Sequence, residues 1–236
     1  MSWKYIKFDK YNSVGNIILD NPQKNNALNI SMRYELTEIL HACELDNQIK
    51  LVTISSSSEN FSTGADLSEF NTYTSIIEAN LISKQNSLWK DLYSFKKPII
   101  CLTRGWVIGS GFEILLLSDF VFSHTSSVFK MPEVELSLTP ISGGTQTFIN
   151  KTTLSRAKEI LLFAEKIDVY KAYDYGLVNF YSDNYDLLLN KVEEFTENIE
   201  NIALHRLQTV KKLLNINSEE NIFFGNNIEK YYSEIN

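Results

Sequence analysis

Two glutamates sit where acid–base chemistry could be done. Glu113 opens an apolar helical run directly after the glycine-broken turn of GWVIGSGFEILLLSD. Glu133 follows Pro132 in MPEVELSLTPISGGTQ, ahead of a turn at Gly143 and Gly144. A carboxylate just inside a helix, with a second on a nearby loop, makes a candidate general acid and base. The turn before Glu113 adds another ingredient. The first N–H groups of a helix have no partner within it, and at the positive end of the helix dipole they can hold an oxygen that gains negative charge.

Several elements must position these groups. The β-branched and apolar run Ile99 to Leu102, the Gly-x-Gly turn and the helical run after it read as a strand–loop–helix unit. Upstream, residues 3–9 and 14–20 alternate apolar and polar about Asn12-Ser13, a hairpin pattern. Met32, Leu36, Ile39, Leu40 and Cys43 mark a helix over about 31–46, and 50–55 reads as a strand that runs into a serine loop. FSTGADLSEF carries a glycine where backbone can approach a ligand closely. A helix over 76–94 ends at Lys96-Lys97-Pro98. Short helices are expected over 154–164 and 169–175, the second capped by Asp168 and stopped at Gly176-Leu177, with a last strand over 178–181. Beyond residue 184 the pattern is helical: 185–200, 203–214 and, after Ser218 as N-cap, 219–233. The strand–strand–helix rhythm suggests repeated ββα turns coiling into a layered core.

Composition narrows the classes of function. A chain of 236 residues can bury one sizeable core with a small appendage. The formal net charge of −7 and the lack of a basic stripe argue against nucleic acid as a partner. No apolar run reaches the ~18 residues a membrane helix needs, and MSWKYIKFDK is charged from its start. The cytoplasm is the expected compartment. Cys43 and Cys101 lack CxxC spacing and read as buried thiols, and His41, His124 and His205 lack metal-ligand spacing.

In the motifs just quoted the chain resembles the crotonase superfamily, whose type members are the enoyl-CoA hydratases. The resemblance spans about residues 14–181. NPQKNNALN is similar to the family's coenzyme A loop, FSTGADLSEF to its GAD segment, GWVIGSGFEILLLSD to its glycine-rich loop and helix, and MPEVELSLTPISGGTQ to its second catalytic loop. AKEILLFAEKIDVYKAYDYGLV resembles the segment that ends the core. Glu113 and Glu133 lie twenty residues apart, the spacing of the family's two-glutamate hydratases.

The resemblance implies an α/β fold: a crotonase-type ββα spiral core over 1–183 and a helical C-terminal region over 184–236 that builds a homotrimer or dimer of trimers. It implies an acyl-CoA or acyl-carrier thioester as substrate, with no metal or other cofactor. The backbone N–H groups of Ala65 and Ser110 match the oxyanion hole, and Glu113 and Glu133 match the pair that adds or removes water. Lys24, Ala27, Ala65, Asp66, Leu67 and Ile141 fall where substrate and coenzyme would lie. Asp66 also reads as a cap for a helix after the GAD segment, and Glu135 as a solvated or structural neighbour.

Three departures stand out. Ser110 occupies a position that is usually glycine. Ile141 follows Pro140 where many hydratases have glycine, beside the catalytic water. The chain stops at Asn236, short of a further helix and a basic-aromatic tail that help to cover the coenzyme in typical members. The leading expectation is a hydratase-like lyase. The alternatives are a Δ3,Δ2-enoyl isomerase with Glu133 as base, or a catalytically silent member kept for interaction.

Overall fold

The chain folds around a six-stranded sheet, seen in a computed structural model that describes residues 3–69, 88–140, 143–212 and 214–215. The first part of the expected 76–94 helix, Ile141 and the expected 219–233 helix lie outside the described residues. Strands β1 (Ile6–Tyr11) and β2 (Val14–Leu19) form the expected hairpin, closed with Asn12 at φ 52°, a left-handed turn conformation that asparagine tolerates. From β2 onward every pairing in this sheet is parallel, in the order β1-β2-β3-β4-β6-β9. Its inner strands are β3 (Leu51–Ser56), β4 (Ile99–Thr103) and β6 (Phe120–His124), with β9 (Phe180–Ser182) at the edge.

Alternate residues of these strands feed two separate cores, as the two-residue period of a strand requires. Val52, Ile54, Ile99, Cys101 and Val121 point into the larger one, where Met32, Leu36 and Leu40 of helix α1 (Ile30–Leu45) join Leu88 and Leu92 of α2 (Leu88–Ser94). Leu51, Ile100, Leu102 and Phe122 point the other way, onto Leu188 and Val192 of α7 (Tyr185–Glu200). Phe195 of that helix meets Phe120 and Phe122 edge-on, at 4.9 and 5.3 Å between ring centroids. Covering both faces explains why β4 reads as a continuous apolar run rather than an alternating one. A further helical segment, 204–212, is tied to the sheet by Lys211, whose Nζ lies 2.6 Å from the Asp119 carboxylate.

A second, small sheet carries the glycine loops. Strand β5 (Trp106–Ile108) pairs in parallel with β7 (Val128–Lys130), and β7 pairs antiparallel with β8 (Ile167–Asp168). Ser62 bridges in parallel to Val107, so the start of the GAD segment runs alongside β5. Three segments thus run side by side in one direction, and each releases a loop from its C-terminal end. Helix α3 (Ser110–Leu117) follows the loop after β5. Helices α4 (Gly144–Lys151), α5 (Leu154–Phe163) and α6 (Val169–Asp174) follow β7 and β8. Asp168 caps α6 by accepting from the Lys171 N–H at 2.8 Å. Gly176 and Leu177 end it by donating to the Tyr173 and Ala172 carbonyls, the expected Schellman stop.

Candidate active site

Parallel register explains how the glycine turn before Ser110 and the loop that carries Glu133 come to lie side by side. Ile108 stands opposite Lys130, so Gly109 and Met131 leave the small sheet at the same level. The Gly109 N–H donates to the Lys130 carbonyl at 2.9 Å and seals that exit. Gly109 then turns the chain into α3 with φ 50° and ψ −122°, a conformation costly for any residue with a Cβ. A Cβ there would also lie 2.9 Å from Glu133 Oε1. The Glu133 carboxylate therefore rests directly against the turn that precedes Ser110.

The two carboxylates sit in different surroundings. Glu113, in the first turn of α3, is 2 % exposed and accepts the Gly144 N–H on Oε1 at 3.2 Å. Glu133 starts a short 3-10 turn, Glu133–Leu136, and its Oε2 is buried without a hydrogen-bond partner among the described residues. Burial pushes the Glu133 carboxyl above its ordinary range, because the ionised form loses water and no cation among the described residues offsets that loss. Glu135, two residues on, turns outward and pairs with Lys130 at 2.7 Å.

The GAD segment forms the opposite side. Gly64, at φ 91°, packs so close to the glycine turn that a Cβ on it would lie 2.9 Å from the Ile108 carbonyl and 3.5 Å from the Ser110 nitrogen. Leu28 N–H donates to the Gly64 carbonyl and Asp66 N–H to the Leu28 carbonyl, as a parallel bridge demands. Ala65 sits between them, so its own N–H points away from Leu28. Ser110, the first residue of α3, has no carbonyl one turn earlier to receive its N–H. Both N–H groups assigned to the oxyanion hole from sequence thus lie on turns that touch.

Of the remaining candidates, Lys24 and Asp66 meet. Lys24 ends a short turn, Pro22–Lys24, and its Nζ contacts the Asp66 carboxylate at 2.6 Å and Ser68 Oγ at 3.2 Å. That ammonium holds the Asp66 carboxyl below its usual range, and Asp66 in turn raises Lys24. Asp66 also accepts the Ser68 N–H, capping the turn Leu67–Glu69 as expected. Ala27 is half-buried in the loop between Lys24 and Leu28, and Leu67 is exposed. Ile141 lies outside the described residues.

Two residues of consequence were not singled out from sequence. Asn26, buried at φ 54°, accepts the Asn21 N–H on Oδ1 and points Nδ2 at Ser56 Oγ, Ser58 Oγ and the Asn60 and Phe61 carbonyls. It ties the NPQKNNALN loop to the GAD segment. Ser62 is the other. Their signal was a buried-looking pair of small polar residues inside two motifs, which polarity alone assigns to solvent.

Among the described residues no cluster of three His, Cys, Asp or Glu side chains is placed to hold a metal ion. Burial raises the Cys43 thiol to about 11 and the Cys101 thiol to about 12, too high for a thiolate nucleophile at neutral pH. None of the described helices is long and apolar enough to cross a membrane.

Comparison with known proteins shows the family and the fold. A family model described as enoyl-CoA hydratase/isomerase matches residues 9–231. The chain is 33% identical over 163 residues to the 2,3-dehydroadipyl-CoA hydratase of Escherichia coli (strain K12), a match that covers 69% of this chain and 63% of that protein. It is 27% identical over 216 residues to the short-chain-enoyl-CoA hydratase of Clostridium acetobutylicum, covering 91% and 82%. Among solved structures, enoyl-CoA hydratase from Bacillus halodurans superposes with a TM-score of 0.90 at 19% identity, over 98% of this chain and 94% of that one. That likeness is one of fold.

Proposed function

The chain belongs to the enoyl-CoA hydratase/isomerase family, and from that premise we propose that it is a hydratase-like lyase acting on a conjugated acyl-CoA thioester. The observation that carries this reading is the contact between Glu133 Oε1 and the Gly109 turn, one residue from the Ser110 N–H. It sets a desolvated carboxyl beside the position where a thioester carbonyl would bind.

The chemistry follows from the groups present. A thioester oxygen held by the Ala65 and Ser110 N–H groups gains enolate character as water adds to the double bond, and fixed donors stabilise that charge by a few kcal/mol. Glu113 activates the water. Glu133, whose carboxyl burial pushes above its ordinary range, delivers the proton to Cα on the same face, a syn addition. Lys24 and the loop around Ala27, Asp66 and Leu67 line the path to the coenzyme moiety. No further cofactor is needed for these steps. Residues 184–236 would supply contacts between three copies.

A second reading, the Δ3,Δ2-enoyl isomerase, is favoured by one feature: the buried Glu133 Oε2 has no partner among the described residues, so this carboxyl can shuttle a proton alone. One experiment separates the two. The pure protein is incubated with conjugated and β,γ-unsaturated acyl-CoA thioesters, and the products are separated by chromatography and identified by mass and by the ultraviolet absorption of the conjugated thioester. The lyase reading expects products heavier by one water from the conjugated thioesters. Products of unchanged mass, with only the double bond moved, would support the isomerase. No reaction with any thioester of the panel would overturn both.

A further inference from the structure

Ser62 stands where the two turns meet. It is fully buried, and both halves of its hydroxyl are used. The proton goes to the Asn26 carbonyl at 2.8 Å, and the oxygen accepts the Gly64 N–H at 3.2 Å. Its backbone is a rung of the ladder beside β5: Ser62 N–H donates to the Trp106 carbonyl and Ile108 N–H to the Ser62 carbonyl, both at 3.0 Å. Its side chain also supports the second turn. A Cβ on Gly111 would lie 2.7 Å from Ser62 Cβ and 2.9 Å from Ser62 Oγ, so the Gly111 backbone rests on that side chain.

One side chain therefore touches the residue before Ala65 and the residue after Ser110. A serine kept only to fill space would not need its oxygen to face Gly64. Glycine is the freest of residues in φ and ψ, so the peptide that carries the Ala65 N–H is loosely fixed unless Gly64 is held. The Gly64 carbonyl is held by Leu28, and its N–H by Ser62 alone among the described residues. Asn26 in turn fixes the Ser62 rotamer and is itself locked by its own side-chain bonds.

We propose that Ser62 is a positioning residue that sets the separation of the Ala65 and Ser110 N–H donors, with Asn26 as its anchor. The inference rests on the oxyanion reading given above. Its consequence is that removing one hydroxyl, far from any reacting atom, weakens polarisation of the bound carbonyl. A displacement of about 1 Å is enough to cost up to about a hundredfold in rate.

The test uses wild type, Ser62→Ala and Ser62→Cys with cinnamoyl-CoA, whose conjugated thioester absorbs at longer wavelength when its carbonyl is hydrogen-bonded. Wild type should shift the bound absorption to the red, Ser62→Ala should lose most of that shift, and Ser62→Cys should lie between. With a short enoyl-CoA, Ser62→Ala should lower kcat about tenfold to hundredfold while KM stays within about twofold. A residue that merely packs would lower Tm and leave the spectral shift and kcat at wild-type values, which would overturn the proposal. If Ser62→Ala does not fold, Ser62→Cys decides: a reduced shift supports the proposal and an unaltered one rejects it. If wild type gives neither shift nor turnover, the oxyanion reading fails and this inference with it. A full wild-type shift retained in Ser62→Ala rejects only the role of Ser62.

Discussion

At the scale of single residues, the account turns on one buried carboxyl. Desolvation raises the Glu133 pKa above its ordinary value of 4.5, and among the described residues no cation offsets it. Between the unfolded and folded pKa the native chain then binds more protons than the unfolded chain. The stability this group contributes is complete below the ordinary value and is lost as pH rises through the folded one. Wild type should therefore lose Tm relative to Glu133→Gln as pH goes from about 4 to about 8, with the gap levelling once Glu133 is ionised. Thermal melts of the two proteins across that range test this directly; parallel curves would mean that Glu133 is solvated like any surface carboxylate. Lys24 shows the opposite situation. Its ammonium is half-exposed and already engaged by Asp66, so contact with a coenzyme phosphate would require it to share or exchange that partner.

At the scale of elements, backbone geometry places the side chains, and glycines are the points where it can be probed. Gly144 starts α4 with its N–H on Glu113, and a Cβ there would come 2.9 Å from Glu113 Oε1 and 3.2 Å from Met131 Cε and Pro140 Cβ. Alanine is the better helix former by about 1 kcal/mol, which offsets part of the crowding. Gly144→Ala should thus lower Tm by no more than about 5 °C while lowering kcat about tenfold to hundredfold through displacement of Glu113. Wild-type turnover in that variant would show that the Glu113 position is not critical. The same logic explains what could be read in advance. The hairpin, the helices over 31–46, 154–164, 169–175 and 185–200, the Asp168 cap and the Gly176 stop were legible because apolar period and cap chemistry are local, whereas the short helix Gly144–Lys151 was not anticipated. The turns around Gly64, Gly109 and Gly143 were legible as glycine motifs. The pairing of β5 with β7 was not, because three-residue strands carry no periodic signal, yet that register is what brings Glu133 to Gly109. Lys97 was read only as part of a helix stop. It is buried, with Nζ on the Cys43 and Asp46 carbonyls at the end of α1, a tertiary cap invisible to local pattern.

At the scale of the whole molecule, apolar surface gathers next to the candidate site. Val134, Leu136 and Leu138 are exposed just after Glu133, and α5, which packs against that turn, exposes Leu154, Leu162 and Phe163, the last by 76%. Patches of this kind mark interfaces. The proposed trimer would cover them, and light scattering at micromolar concentration should return three times the 27.1 kDa chain mass or a multiple of it; a monomer would remove assembly from the account. The central claim remains that both glutamates serve one reaction. Its most direct test is the steady-state hydration of a conjugated enoyl-CoA by wild type, Glu113→Gln and Glu133→Gln, each paired with a measured affinity for a saturated acyl-CoA. The account predicts that each substitution lowers kcat by roughly 10²–10⁴ with affinity nearly unchanged. Hydration that survives either substitution at near wild-type kcat would contradict it.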